Sequence, residues 1–202
     1  MCGIAGILHF DGRRVDEAIL EKMVARLYHR GPDHTAMYIN GGIGLGVRRL
    51  SIIDVYNGNQ PVFNEDRSVV AVFNGEIYNH NQLRIQLEKQ GHRFASLSDS
   101  EVLVHLYEEH GIDFLRYLNG MYAIALWDSA KQVLVLARDR MGQKPLLYAE
   151  VPNGIVFGSE IQAIAINKDV ELTIDPMALD DYLTLLYVPA PKTIFRNIKK
   201  LR

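Results

Sequence analysis

The chain has one cysteine, one tryptophan and almost no net charge, with 22 Lys and Arg against 24 Asp and Glu in 202 residues. A single cysteine excludes an internal disulfide framework. With no basic and apolar leader ahead of a cleavage site, the expected compartment is a reducing cytoplasm. A formal charge of −2 supplies no field that would recruit nucleic acid or an anionic membrane surface. No apolar run is long enough to span a bilayer. Low-complexity tracts, internal repeats and a convincing linker are also missing, which argues for one domain over residues 1–202. What is there is an ordinary globular composition, 48% hydrophobic and 23% charged, sufficient to bury a sizeable core. Small-molecule chemistry becomes the expectation.

Strand and helix patterns alternate in groups. Gly3 to Phe10 reads as a strand ending at Asp11-Gly12, and residues 15 to 28 recur apolar at helical spacing. Strand-like runs at 37–39 and 43–49 join at Asn40-Gly41, a hairpin signal. The nearby glycines fit neither phosphate-loop pattern and read as turn and close-packing residues. Ser68 to Phe73 is a strand, and a helix around Leu83 and Leu87 stops at Gly91. Ser98-Asp99-Ser100-Glu101 has the form of a capping box opening a helix to His110. Strands follow at 121–127, 133–138, 146–151 and 155–158, then helices at 160–166 and from Asp175-Pro176. The tail from Pro189 reads as irregular and basic. The pattern predicts an α+β protein in which two antiparallel sheets pack on each other under outer helices.

Cys2 stands directly behind Met1. Removal of Met1 would put a thiol and an α-amine on one residue, and the amine's reference pKa of roughly 7.7 to 8.0 suits it as an activating base. From position alone, a small apolar residue packed in the first strand is the commoner outcome. Four other places combine polar groups with special backbone. Arg49 can hold a carboxylate through two parallel bonds, although a surface ion pair is locally favoured. Asn74 and Gly75 offer two donors aimed at one point, as an oxyanion requires, although an Asn-Gly turn is the better local reading. Asp99, in a helix's first turn, can receive an ammonium or merely cap. Arg138 to Pro145 is a dense charged turn for which a solvated hairpin or an ion-pair network is expected. The seven histidines show no metal-ligand spacing, His29 reads as structural, and no metal is expected. Together an arginine for an α-carboxylate, an acid for an α-ammonium, an oxyanion hole and a cysteine fit hydrolysis of glutamine's side-chain amide.

These residues resemble the class II glutamine amidotransferase domain, of the N-terminal-nucleophile hydrolase type, of glutamine-hydrolysing asparagine synthetases. The similarity runs through Met1-Cys2-Gly3-Ile4, His29 to Asp33, Arg49 to Asp54, Gln60-Pro61, Asn74 to Asn79, Ser98 to Glu101, Arg138 to Pro145, Phe157 to Glu160, Tyr187 to Pro189 and Thr193 to Phe195. The resemblance implies a four-layer αββα sandwich of two antiparallel sheets. It implies Cys2 as nucleophile, Asn74 and Gly75 as the oxyanion hole, and Arg49 on the carboxylate of L-glutamine. Glu76 and Asp99 would bind the ammonium, with Ile52 and Ile53 supplying backbone contacts from a closing loop. Ammonia would pass to a second domain that activates aspartate with ATP and Mg. No Ser-Gly-Gly pyrophosphate loop is present, so the chain is expected to need no cofactor itself. It reads as a truncated piece or as one half of a split enzyme, with the synthetase domain on the same full-length chain or a separate subunit. A homodimer is left open. Competing expectations are an amidotransferase with another acceptor, an N-terminal-nucleophile acylase or protease, and a non-catalytic glutamine sensor.

Overall fold

Strand β1 (Gly3–His9) is buried at almost every position because both its faces are covered. Ala5 and Ile7 pack toward helices, while Ile4 packs toward a second sheet. The computed structural model describes all 202 residues. After β1 come α1 (Glu17–Ala25), β2 (His34–Asn40), β3 (Ile43–Arg49), β4 (Val62–Phe63) and β5 (Val69–Ile77). The chain continues through α2 (His80–Gln90), α3 (Val102–His110), β6 (Gly120–Asp128), β7 (Val133–Arg138), β8 (Leu147–Val151) and β9 (Gly154–Gly158). It closes with α4 (Ile161–Ile164), α5 (Pro176–Leu185) and β10 (Ile198–Lys200).

Six strands form one sheet in the order β10-β8-β9-β1-β3-β2, and four form the other in the order β4-β5-β6-β7; every pairing is antiparallel. Three apolar layers hold them. Leu20, Met23 and Val24 of α1 cover the outer face of the larger sheet. Leu83, Leu87 and the α3 residues Leu103 and Leu106 cover the smaller one. Between the sheets lie Ile4, Leu45, Val47, Val70, Val72, Trp127 and Phe157. The expected four-layer α+β sandwich is present. Helix α1 approaches β3 so closely that a Cβ on Gly46 would lie 2.2 Å from Val24 Cγ2, which accounts for the small residue there.

Several local expectations are corrected. The β2–β3 turn is Gly41-Gly42 rather than Asn40-Gly41, since Asn40 pairs in register with Ile43. Ser98 to Glu101 is not a reciprocal capping box. Ser98 caps a turn of tight helix at Asp99–Glu101 through the Ser100 N–H, whereas the Glu101 carboxylate accepts from Ala95 N–H (2.6 Å) and Ser96 N–H (2.9 Å) in the preceding loop. The tail is not wholly irregular, because Ile198–Lys200 adds an edge strand to β8. Strand β5 runs on through Ile77, so Asn74-Gly75 lies inside a strand and is no turn.

Candidate active site

Cys2 immediately precedes β1, which lies inside the larger sheet between β9 and β3. Antiparallel pairing of Gly3 with Arg48 brings the C-terminal end of β3 beside it. The thiol is half-buried, 3.4 Å from the Leu50 N–H and 3.7 Å from the Leu50 carbonyl. Two further clamps fix the start of the strand. Arg30 Nε donates to the Cys2 carbonyl at 2.9 Å while its Nη1 donates to Glu160 Oε1 at 2.9 Å. Ile4 N–H donates to Ser159 Oγ (2.9 Å), and Ser159 N–H returns to the Ile4 carbonyl (2.8 Å). His29 shares the Glu160 carboxylate, in keeping with its structural reading.

Alternation along β5 decides which of its residues meet the thiol. Odd positions 71, 73 and 77 face the helices, whereas 70 and 72 face the opposing sheet. Asn74 and Glu76 continue the inward-facing set and come out in the cavity before Cys2. Asn74 is 1% exposed, yet its Nδ2 has no hydrogen-bond partner. A buried amide donor without an acceptor is uncommon and demands a reason. Gly75 pairs with Tyr122, and a Cβ there would stand 2.1 Å from the Met121 carbonyl, so no side chain fits.

Arg49 is 3% exposed and makes no ion pair, which corrects the local expectation of a surface salt bridge. Its Nη2 donates to the Ile53 and Asp54 carbonyls, both at 2.8 Å. Its Nη1 reaches Ser51 Oγ (3.0 Å), Asn59 Oδ1 (3.1 Å) and the Val55 carbonyl (3.2 Å). One guanidinium therefore gathers the loop 51–59 around itself. Asp54 Oδ2 ties that loop to Leu97 N–H at 2.8 Å, and Asp33 Oδ2 accepts from Ser51 N–H at 2.8 Å.

Asp99 is 6% exposed, with Oδ2 accepting from the Ile77 N–H at 2.9 Å. Burial raises its pKa above the ordinary carboxylate range; the Ile77 N–H and His80 oppose that rise, and neighbouring Glu76 adds to it. Two carboxyl groups lining one cavity, neither of them in an ion pair, are arranged for a cationic ligand.

The turn from Arg138 to Pro145 exposes Arg140, Met141 and Gln143 but is built around a buried carboxylate and is no ion-pair network. Asp139 is buried and accepts from the backbone N–H groups of Gln143 (2.9 Å), Lys144 (3.0 Å), Met141 (3.2 Å) and Tyr122 (3.2 Å). Burial opposes its ionisation, but these donors outweigh burial and hold its pKa below the usual carboxylate value. The turn thereby delivers Lys144 to the cavity, buried, with Nζ 3.1 Å from Met1 Sδ. Sequence reasoning missed Lys144 and Arg30. Both lie inside stretches that the sequence singles out, Arg138 to Pro145 and His29 to Asp33, but neither was given a role at the site.

Cys2, Arg49, Ile52, Ile53, Asn74, Gly75, Glu76 and Asp99 all line one cavity of about 130 Å³, with Met1 and Lys144 at its edge. The eight residues singled out from the sequence thus converge, although they come from three strands' ends, one loop and a turn of tight helix.

The whole chain, residues 1–202, matches the family described as glutamine amidotransferase domain. It is 46% identical over 167 residues to asparagine synthetase [glutamine-hydrolyzing] 2 of Bacillus subtilis, covering 81% of this chain and 22% of that protein. Asparagine synthetase [glutamine-hydrolyzing] 1 of Bacillus subtilis is 38% identical over 204 residues, covering 100% and 32%. Asparagine synthetase [glutamine-hydrolyzing] 1 of Arabidopsis thaliana is 40% identical over 173 residues, covering 85% and 29%. The chain therefore spans a third or less of these relatives. Among solved structures, the glutamine phosphoribosylpyrophosphate amidotransferase of Bacillus subtilis shares the fold with a TM-score of 0.68 at 23% identity, over 87% of this chain and 46% of that one.

Proposed function

The chain belongs to the glutamine amidotransferase domain family, and from that premise we propose that it hydrolyses the side-chain amide of L-glutamine with Cys2 as nucleophile. The observation that carries the reading is the buried, unpartnered Asn74 amide in the same cavity as the Cys2 thiol. Attack of the sulfur on the amide carbon drives negative charge onto the carbonyl oxygen. Asn74 Nδ2 and the Gly75 N–H stabilise that oxygen where charge develops, and need no reorganisation to do so. Once Met1 is removed, the Cys2 amine takes the thiol proton and gives it to the departing nitrogen, which leaves as ammonia. Water then attacks the thioester, releasing glutamate and regenerating the thiol.

Recognition follows from charge. Asp99 and Glu76 receive the α-ammonium, and Arg49 takes the α-carboxylate, exchanging part of its bonding to the 51–59 loop as Ile52 and Ile53 close over the substrate. Ammonia serves an acceptor domain of the asparagine synthetase kind, joined to this one or carried on another subunit, and that domain holds ATP and Mg. The outer face of α5 suits such a neighbour. It buries only Ala178 and exposes Met177 (71%), Leu183 (70%) and, just beyond its end, Tyr187 (60%). No helix is long and apolar enough to cross a membrane, and the cytoplasm is the compartment proposed.

The test is ammonia release from glutamine by protein whose intact mass shows Met1 gone. Release that Cys2→Ala abolishes is the expected result. Release that persists in Cys2→Ala would remove the thiol from the mechanism.

A further inference from the structure

On the far side of the smaller sheet, outside the cavity, four side chains from three elements converge. Glu65 lies in the turn between β4 and β5, His92 follows the left-handed Gly91 that ends α2, and His105 and Glu108 stand one turn apart on α3. One ligating atom from each lies within 4.8 Å of all the others. His105 is fully buried, while Glu65 and Glu108 keep 37% and 29% of their side chains exposed, leaving an entrance from solvent.

The distances suit a shared centre better than they suit hydrogen bonds. His92 Nδ1 is 3.3 Å from Glu65 Oε1 and 3.8 Å from Glu108 Oε2. His105 Nδ1 is 3.4 Å from both Glu65 Oε2 and Glu108 Oε2, although one N–H cannot serve two acceptors well. Charge-assisted N–H to carboxylate bonds draw in to about 2.7 to 2.9 Å. The edge of a tetrahedron whose ligands stand about 2.0 to 2.2 Å from its centre is roughly 3.3 to 3.6 Å. Three of these four N···O contacts fall in that range, with Glu65 turning one oxygen to each histidine, and the four ligating atoms, which span up to 4.8 Å, draw closer together around an ion.

The surroundings of three of the four match as well, His105 Nε2 alone having no partner. His92 Nε2 meets Glu109 Oε1 at 3.0 Å, so the neutral tautomer that donates there presents Nδ1 as a ligand. Asn64 Nδ2 donates to Glu108 Oε1 at 2.8 Å, turning Oε2 toward the histidines. Arg93 N–H donates to Glu65 Oε1 at 2.9 Å. Metal-binding imidazoles and carboxylates are held by such outer partners.

We propose that Glu65, His92, His105 and Glu108 bind one Zn²⁺ ion in tetrahedral N₂O₂ coordination, a structural clip between the β4–β5 turn, the end of α2 and α3. Two imidazoles disfavour Ca²⁺ and Mg²⁺, which prefer oxygen ligands throughout. All four positions are filled by protein, so the ion has a structural role and takes no part in the Cys2 chemistry. Histidine spacing did not reveal the site because half its ligands are glutamates and the set spans three elements.

The test uses the untagged chain, stripped with chelator, given Zn²⁺ and freed of excess metal by gel filtration before elemental measurement. Retention of one equivalent is expected, with a rise in Tm. His92→Ala, partly exposed and checked by far-UV circular dichroism, should lose retention while staying folded. Glu109→Gln should weaken Zn²⁺ about 10- to 100-fold in competition with a chromophoric chelator. Co²⁺ in place of Zn²⁺ should give the strong visible bands of a tetrahedral site. No retention by the wild-type chain, equal retention by His92→Ala, or a weak octahedral Co²⁺ spectrum would each overturn the proposal.

Discussion

Lys144 Nζ rests 3.1 Å from Met1 Sδ across the mouth of the cavity that holds Cys2. While Met1 is attached, the Cys2 nitrogen is an amide and cannot accept a proton, and the methionine side chain stands at the entrance. Protein retaining Met1, for example behind a short N-terminal extension, should release no ammonia from glutamine. Cleavage of the extension at Cys2 should restore turnover. Intact mass and an ammonia assay on both forms decide the matter, and turnover by the extended form would contradict the amine's role.

Asn74→Ala should lower kcat about 10²- to 10³-fold with little change in KM, the loss associated with one oxyanion donor. Because Nδ2 bonds to nothing in the folded chain, stability should hardly fall. The pair of measurements, steady-state kinetics and thermal melting, separates this role from a structural one. A large fall in Tm would identify a partner for the amide.

Arg49→Ala should harm both recognition and stability. It removes five bonds from a buried guanidinium to the 51–59 loop, and a hydrogen bond to a charged group is worth about 1.5 to 3 kcal/mol. A loss of roughly 2 to 4 kcal/mol is expected, since the loop relaxes. KM for glutamine should rise steeply. Arg49→Lys should not rescue it, because a single ammonium cannot span acceptors at Ile53, Val55 and Asn59 together. Urea unfolding and saturation kinetics test both halves.

Asp99 has its pKa raised in the folded chain, chiefly by burial. A carboxyl group with a raised folded pKa stabilises the fold only while protonated. That contribution is complete below its unfolded value, near 3.9, and is lost as pH rises through the folded value. Ionised Asp99 is thus a burden to the fold at neutral pH, and Asp99→Asn, which keeps an oxygen for the Ile77 N–H, should hold or raise Tm there. The same change should weaken glutamine binding, since the ammonium loses its counter-charge. Glutamine affinity of the unaltered chain should decline as pH falls through the raised range. Calorimetric titration at several pH values reads both effects.

Much of this architecture was legible because both sheets carry alternating or continuously apolar runs. Val133–Arg138 and β3 were bounded to the residue, and β1 to within one. What escaped had local reasons. Val62–Phe63 is too short to show a period, and Ile198–Lys200 is masked by its lysines. Glu101 looked like a capping partner because spacing alone cannot tell whether a carboxylate turns toward its own helix or toward the loop before it. The site residues were legible as motifs and as parts of one site, yet the contacts that hold them there were not. On local evidence alone Arg49 read as a surface charge, whereas the carbonyls it gathers come from a loop with no sequence pattern of its own. Lys144 was hidden because its burial depends on Asp139 folding the turn inward.

Strand β5 carries core and chemistry on one alternating thread, with Val70 and Val72 under the opposing sheet and Asn74 and Glu76 at the cavity. Its reading frame is therefore indivisible. Deleting a single residue between 69 and 73 would turn Asn74 toward the helices, send the bulk of Phe73 between the sheets, and put an apolar mismatch into two layers at once. The length of this segment is as constrained as the identity of its residues, and variation in it should take the form of exchange at fixed length, never insertion or loss.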